Sequence, residues 1–119
     1  MLSVTIDEFT SMANEFGCSY SKEFSVSWSL GGTWADCWGN EGTCSPDSPR
    51  ELTLLDSFLA KYFPNITFMQ YRTVSNKVES GTRRDYDYYG GCTSEAYKRI
   101  TYSNLINALI ECGQLEIIQ

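Results

Sequence analysis

The chain has 119 residues, with 15 acidic and 9 basic side chains and a formal net charge of −6. It contains no histidine, which excludes Ser/His and Cys/His catalytic pairs and zinc sites that use histidine. The acidic balance disfavours direct binding to nucleic-acid phosphates, because that binding requires a basic surface. With 42% hydrophobic residues the chain can bury a core, and its length predicts a single domain over residues 1–119.

The apolar runs bear on cellular location, and the cysteines bear on metal binding. Apolar runs fall short of the roughly 20 residues of a membrane span, and the first residues lack the pattern of a signal peptide. We therefore expect a cytoplasmic protein. The five cysteines are odd in number and never spaced C-x-x-C. This favours reduced, mostly packed thiols over a four-thiolate zinc site, and we expect no cofactor.

Three helices are predicted from N-terminal capping residues and apolar side chains at helical spacing. The first begins with a capping box formed by Thr5 and Glu8. The second begins with the N-cap and first-turn proline of Ser48-Pro49, and the third ends at Gly113. The predicted helices cover residues 6–16, 49–62 and a segment around 105–110.

Strands are predicted from alternating polarity and from β-branched and aromatic runs. The clearest is 24–30, where apolar residues alternate with serines and which we expect to end or bend at Gly31-Gly32. The tail at 115–118 either docks on the core or adds a short strand. The other predicted strands are 66–74, 84–89 and 96–101, with turns at Ser80-Gly81 and Gly90-Gly91.

The predicted order of elements is α-β-α-β-β-β-α. This order indicates an α+β fold in which helices pack on one face of an antiparallel sheet of three to five strands. The sequence contains no internal repeat, linker or low-complexity segment that would divide it. A single domain therefore remains the expectation.

The candidate binding site comes from two segments, 31–39 and 85–92, which combine aromatic residues, glycines and carboxylates at the ends of predicted strands. If these strands are neighbours, the segments meet at one rim of the sheet. Aromatic faces bordered by carboxylates suit an arginine or lysine of a partner. The competing interpretation is that the tyrosines alternate across a sheet and the tryptophans complete the core. The candidate partner-binding residues are Trp34, Asp36, Trp38, Glu41, Asp85, Tyr86, Asp87, Tyr88 and Tyr89.

Catalytic signals are weak. Asp85 and Asp87 share one face of a regular strand, and paired carboxylates serve acid–base chemistry or bind hard cations. Arg83 and Arg84 directly precede them and would neutralise the pair. The sequence has no phosphate-binding loop, dinucleotide fingerprint or nucleophile elbow. We therefore expect a protein without enzymatic activity.

A compact, acidic, histidine-free chain with aromatic side chains resembles the small proteins that phages encode to disable host defences, including anti-CRISPR proteins. The resemblance rests on size, charge and the lack of catalytic motifs. It implies stoichiometric inhibition of a host protein or ribonucleoprotein complex with a basic surface, in the host cytoplasm, without direct contact to nucleic acid or membrane. The aromatic residues would supply binding energy, and the carboxylates would give association rate and specificity.

Two alternatives to such an inhibitor stay open. One is a module that sequesters a nucleotide or other small molecule in the aromatic and glycine-rich rim. There, backbone N–H groups of Gly31-Gly32 and Gly90-Gly91 would bind an anionic group, with Trp34 or Tyr88 stacked on a base. Arg83 and Arg84 would supply charge. The other alternative is a structural or assembly protein. The acidic residues are either ordinary solvated surface or, if the protein is an inhibitor, in part a coherent negative face that attracts a basic partner.

Overall fold

A computed structural model describes residues 1–35, 37–46, 52–86 and 92–119 and, within these ranges, all side chains except those of residues 85, 86 and 93. The described part contains four helices and six strands. In chain order they are β1 (Leu2–Val4), α1 (Ile6–Asn14), β2 (Glu23–Ala35), β3 (Glu41–Cys44), α2 (Thr53–Tyr62), α3 (Phe68–Ser75), β4 (Glu79–Tyr86), β5 (Cys92–Thr101), α4 (Tyr102–Glu111) and β6 (Leu115–Ile117).

The strands form two sheets. Four of them make an antiparallel sheet in the order β3-β2-β5-β4, so that β3 and β4 are its edges. The short strands β1 and β6 pair in parallel, with Leu2 opposite Leu115. The predicted α+β class and the antiparallel sheet of three to five strands are confirmed.

The chain divides into two compact units. Unit 1 comprises Met1–Ser25, Leu52–Glu79 and Arg99–Gln119, and it contains the four helices with β1 and β6. Unit 2 comprises Val26–Glu51 and Ser80–Lys98, and it contains most of the four-stranded sheet. The single domain expected from the chain length stays a prediction.

The core of unit 1 is built around the fully buried ring of Phe58 on α2. Its centroid lies 5.7 Å from that of Phe9 and 5.4 Å from that of Phe24. The Tyr102 ring packs on Phe24, and its hydroxyl donates a hydrogen bond of 3.0 Å to Oδ1 of Asn14. Such aromatic contacts add to the free energy gained by burying the rings.

Local capping explains the helices that the sequence predicts correctly. The hydroxyl of Thr5 accepts a hydrogen bond from the backbone N–H of Glu8, whose carboxylate accepts one from the backbone N–H of Thr5. Helix α1 ends at Asn14, two residues earlier than predicted. Gly113, after α4, adopts the left-handed φ of 77° expected of a helix terminator. Helix α2 begins at Thr53 after an N-cap at Leu52, four residues later than predicted, while the Ser48-Pro49 start signal itself lies outside the described residues.

The predicted strand at 66–74 is wrong, because this segment forms helix α3. The hydroxyl of Thr67 accepts a hydrogen bond from the N–H of Gln70, and the Gln70 side chain accepts one from the N–H of Thr67. This capping box satisfies two backbone donors of the first turn, and it outweighs the preference of the β-branched and aromatic residues for a strand. Val74 is the buried residue of the helix.

Two of the three glycine-containing positions predicted as strand ends or turns lie inside strands instead. Gly31-Gly32 lies within β2, which continues to Ala35, and the φ of 94° at Gly31 is accommodated inside the strand. Ser80-Gly81 lies within β4 and is not a turn. The turn predicted at Gly90-Gly91 lies outside the described residues.

The remaining strand predictions agree with the structure in the residues that it describes. The strand predicted at 96–101 is part of β5, and β4 covers the described start of the strand predicted at 84–89. The tail forms a strand, β6. Among the described residues the longest helices have 10 residues, and none has the length and apolarity of a membrane span.

The aromatic core makes a direct prediction about stability. Phe58→Ala is expected to lower the free energy of unfolding by about 3–5 kcal/mol, because it leaves a cavity among the packed rings. Phe68→Ala, on α3, removes a ring that is 74% exposed, and we expect a change within about 0.5 kcal/mol. Urea unfolding of both variants measures the difference. Equal losses would contradict the assignment of Phe58 to the core.

Candidate functional site

The predicted site residues that the structure describes on β2 and β3 lie in one hairpin of unit 2. We call residues 32–44 the tryptophan hairpin. Its two strands are antiparallel, and Trp34 pairs with Gly42 while Ala35 pairs with Glu41. Trp38 lies in the connection between the strands. The hairpin thus places Trp34 and Glu41 at neighbouring positions of the ladder with their side chains on opposite faces, whereas Asp36 lies outside the described residues.

The second predicted segment is less fully described. Asp85 and Tyr86 are the last two residues of β4, while Asp87, Tyr88 and Tyr89 lie outside the described residues. The strands in which the two segments begin, β2 and β4, are not neighbours, because β5 lies between them. In an antiparallel sheet with this order, β2 and β4 run in the same direction. Both segments therefore begin on strands that finish at the same end of the sheet.

Each edge strand of the sheet carries a glycine covered by an aromatic ring from the neighbouring strand. A methyl group at Gly42 on β3 would lie 2.5 Å from atoms Cε2 and Nε1 of Trp34 on β2. A methyl group at Gly81 on β4 would lie 2.6 Å from the hydroxyl of Tyr97 on β5. The rings thus rest directly on the glycine backbone, an arrangement that compensates for the missing side chain at a sheet edge.

The interpretation that the tryptophans complete the core fails for two of the three. Trp38 is 78% exposed and Trp34 is 39% exposed. Trp28 is partly buried, and its indole nitrogen is the one buried side-chain N or O atom without a hydrogen-bond partner among the described residues. Both of these tryptophans therefore present surface to solvent.

A depression of about 530 Å³ lies in the tryptophan hairpin. Its lining consists of both partners of three consecutive cross-strand pairs, namely Thr33 with Thr43, Trp34 with Gly42, and Ala35 with Glu41. Glu41 is the one ionisable residue of this lining. Because side chains alternate along a strand, Trp34 and Gly42 lie on one face of the hairpin, and Thr33, Thr43, Ala35 and Glu41 lie on the other.

The hairpin carries acidic and no basic side chains. Residues 26–46 contain Asp36 and Glu41 and no lysine or arginine. No cation in the described part of the chain forms an ion pair with Glu41. Ion pairs do form at Glu15 with Lys61 (2.6 Å), Glu95 with Arg83 (2.7 Å), Glu79 with Arg99 (2.9 Å) and Glu111 with Lys77 (3.7 Å). Among the described residues Glu41 thus has no ion-pair partner, and the same is true of Asp7, Glu8, Glu23, Asp56 and Glu116.

Two of the groups that nucleotide binding would need, Arg83 and the backbone N–H of Gly31, are engaged within the chain. Arg83 donates hydrogen bonds from Nε and Nη2 to Oε2 of Glu95, at 2.9 and 2.7 Å. The backbone N–H of Gly31 donates to Oγ of Ser29 at 3.1 Å. An incoming phosphate would therefore have to compete with these internal acceptors.

The cysteines are all free, but the prediction that most are packed is wrong. Cys18, Cys37 and Cys44 are exposed, while Cys92 and Cys112 are partly buried. The exposed thiols lie in a turn, in a hairpin connection and on an edge strand, where no core covers them. Within the described ranges, no three His, Cys, Asp or Glu side chains are grouped closely enough to hold a metal ion.

Two polar clusters of unit 1 have no counterpart in the sequence predictions. Hydrogen bonds from the Ser21 hydroxyl and from the backbone N–H groups of Ser21 and Tyr20 lower the pKa of the Cys18 thiol. Hydrogen bonds from Lys61 and Tyr62 lower the pKa of the Glu15 carboxyl. The second cluster joins Glu15 to two residues that lie 46 and 47 positions further along the chain. Local sequence patterns therefore give no signal for it.

Comparison with known proteins gives no family for this chain. No protein-family model matches it, and no curated protein and no solved structure matches it. The function is therefore argued from the geometry and charge of the tryptophan hairpin.

The contact between Trp34 and Gly42 is testable by a double-mutant cycle. Gly42→Ala is expected to destabilise the protein because the added methyl displaces the indole, whereas in a Trp34→Ala background the same change meets no ring. We expect a coupling free energy of about 1 kcal/mol between the two positions. Urea unfolding of the single and double variants measures it. Additive losses, within about 0.3 kcal/mol, would contradict the contact.

Proposed function

We propose that the protein is a stoichiometric inhibitor that binds a basic surface of a host nucleic-acid-handling or defence complex, in the manner of an anti-CRISPR protein. The tryptophan hairpin is its binding surface. Trp34 and Trp38 act as apolar anchors, and Asp36 and Glu41 supply the charge. The protein occupies the surface that the complex uses for nucleic acid or a partner subunit, and it catalyses no reaction.

The observation that carries this proposal is the exposure of two indoles on a hairpin that has acidic and no basic side chains. Tryptophan is enriched among the residues that dominate binding energy in protein interfaces, because it buries a large surface with few rotatable bonds. A one-signed charge around such anchors accelerates association with an oppositely charged surface. Charge and anchors together favour a basic protein surface.

The hairpin is also preorganised for binding. Four consecutive backbone pairs fix its register, from Gly32 opposite Cys44 to Ala35 opposite Glu41. The Trp34 indole already lies against Gly42, so that binding does not have to order it. Preorganisation of this kind raises affinity because it lowers the entropy lost on association.

Binding of a nucleotide is supported less well than binding of a protein. The hairpin carries no cation for a phosphate, and Arg83 is engaged by Glu95. The acidic hairpin would repel the phosphates of a free nucleotide as it would those of nucleic acid. A basic protein surface meets neither obstacle.

The proposal is tested by titrating the purified protein into DNA-cleavage reactions of a panel of purified RNA-guided nucleases. We expect inhibition of at least one nuclease with an endpoint near one inhibitor per complex. Trp38→Ala is expected to weaken inhibition by at least about tenfold, because it removes an interface anchor. The matched control is Tyr20→Ala, which removes a ring that is 97% exposed in unit 1 and should leave inhibition unchanged.

Three results would contradict the proposal. The first is a panel in which no nuclease is inhibited at micromolar concentration. The second is equal inhibition by the Trp38→Ala variant and the unmodified protein. The third is inhibition far below one equivalent, which would indicate turnover.

A further inference from the structure

We infer that the outer edge of β4 pairs with the same edge of a second copy of this chain, so that two four-stranded sheets join into one. β4 is an edge strand of its sheet, and no described strand pairs with its outer side. An open edge presents unpaired backbone N–H and C=O groups, to which another strand can bind. The proposed function uses the other edge of the sheet, so this inference is independent of it.

One face of β4 carries charges of both signs, and its contacts with β5 show which residues share that face. The contacts join Glu79 to Arg99, Gly81 to Tyr97, and Arg83 to Glu95. Each step of two residues forward along β4 is matched by a step of two residues backward along β5, as in a regular antiparallel pair. Residues two apart on a strand share a face, so Glu79, Gly81 and Arg83 lie on one face of β4.

A two-fold axis at Gly81 makes this face complementary to itself. When two identical strands pair antiparallel about that axis, Glu79 of each copy lies opposite Arg83 of the other. A row of four side chains then crosses the joint sheet with charges that alternate in sign, from Arg99 and Glu79 of one copy to Arg83 and Glu95 of the other. Opposite charges at facing positions stabilise a strand pair, and symmetry provides this row twice.

The remaining positions near the axis admit the same pairing. On the opposite face of β4, Ser80 meets Thr82 of the second copy, and both residues are exposed in the single chain. Hydroxyl pairs of this kind are favourable across strands. At the axis Gly81 meets its own copy, and because it has no side chain, the two Tyr97 rings that cover the glycines come together there.

Charge and length disfavour the neighbouring registers. An axis at Thr82 sets Glu79 opposite Asp85 and so places like charges together in two symmetry-related pairs. An axis at either arginine of β4 sets that arginine opposite its own copy. An axis one residue before Gly81 pairs only residues 79–81 of the strand. Because like charges at facing positions destabilise a strand pair, β4 favours a single register.

The net negative charge of the chain does not oppose this pairing at the edge itself. β4 carries two acidic and two basic residues, namely Glu79, Asp85, Arg83 and Arg84. The edge is therefore neutral as a whole. Repulsion between more distant charges of the two copies is screened over roughly 8 Å at physiological ionic strength. In strand order the two tryptophan hairpins lie at the outer ends of the joint sheet, so the pairing does not involve them.

Sedimentation equilibrium of the full chain at about 0.15 M salt tests the inference. We expect a reversible dimer with a dissociation constant of about 10–100 µM, because an interface formed by one short strand lies at the small end of specific protein contacts. NMR spectra recorded over the same range of protein concentration should show shifts at the backbone amides of residues 79–84.

Charge reversal tests the register. Glu79→Lys and Arg83→Glu each set like charges opposite each other in both symmetry-related pairs, so each variant alone should dimerise at least about tenfold more weakly. In an equimolar mixture, the introduced lysine of one chain faces the introduced glutamate of the other, and Arg83 faces Glu79 in the second pair. We therefore expect the mixture to form a heterodimer with nearly the affinity of the unmodified protein.

The mixture separates contacts between copies from effects within one chain. Each variant loses an ion pair to β5 in its own chain, and that loss persists on mixing. Glu15→Lys is the matched control, because it breaks the ion pair with Lys61 and raises the net charge by two, as Glu79→Lys does. This control should leave the dissociation constant within about twofold. Unaltered amide shifts in the helices will show that the variants fold.

A chain that stays monomeric up to about 1 mM, an unaltered dimer in either charge-reversal variant, or a mixture that recovers no heterodimer would overturn the inference. Concentration-dependent shifts confined to the tryptophan hairpin or to α3 would also overturn it, since they would place self-association on another surface. If a variant does not fold, the shifts of the unmodified protein decide. Nuclease inhibition is measured separately, so the failure of one proposal leaves the other standing.

Discussion

The contact between the Trp34 indole and the backbone of Gly42 is the constraint on which the candidate site depends. Gly42 has no side chain, so the ring of the neighbouring strand can lie directly on the edge of the sheet. The contact between the indole and Gly42 holds the Trp34 ring against the backbone of β3, while 39% of the residue stays exposed. Tyr97 and Gly81 repeat the arrangement at the other edge. Both edges of the sheet are thus stabilised by ring-on-glycine packing, but at the β3 edge Glu41 has no ion-pair partner among the described residues.

Charge and packing are distributed differently over the two units. Unit 1 contains the cluster of buried rings around Phe58, and three of its eight acidic residues, Glu15, Glu79 and Glu111, form ion pairs with cations of the same unit. In unit 2 the tryptophan hairpin has exposed aromatic surface, and Glu41 forms no ion pair with any described residue. Surface ion pairs contribute little to stability, so their main effect here is to reduce the net field of unit 1.

The sequence predicts the parts of the fold that local chemistry determines. The capping box of Thr5 and the terminator Gly113 mark helices that the structure confirms, because the signals lie within one turn of the ends they define. The segment at 66–74 is mispredicted because its apolar residues match the composition of a strand while Thr67 and Gln70 cap a helix. The composition of the hairpin marked Trp34 and Glu41 as candidates. Their pairing across β2 and β3, and the role of Gly42, depend on strand register, which composition does not encode.

The central claim is that the tryptophan hairpin is the surface that a partner covers. Amide hydrogen exchange of the protein, alone and in complex with an inhibited nuclease, tests it most directly. The account predicts slower exchange in the complex across residues 32–44, with α3 unchanged. Slower exchange across α3, where Phe68 and Met69 are exposed, with an unaltered hairpin would contradict it.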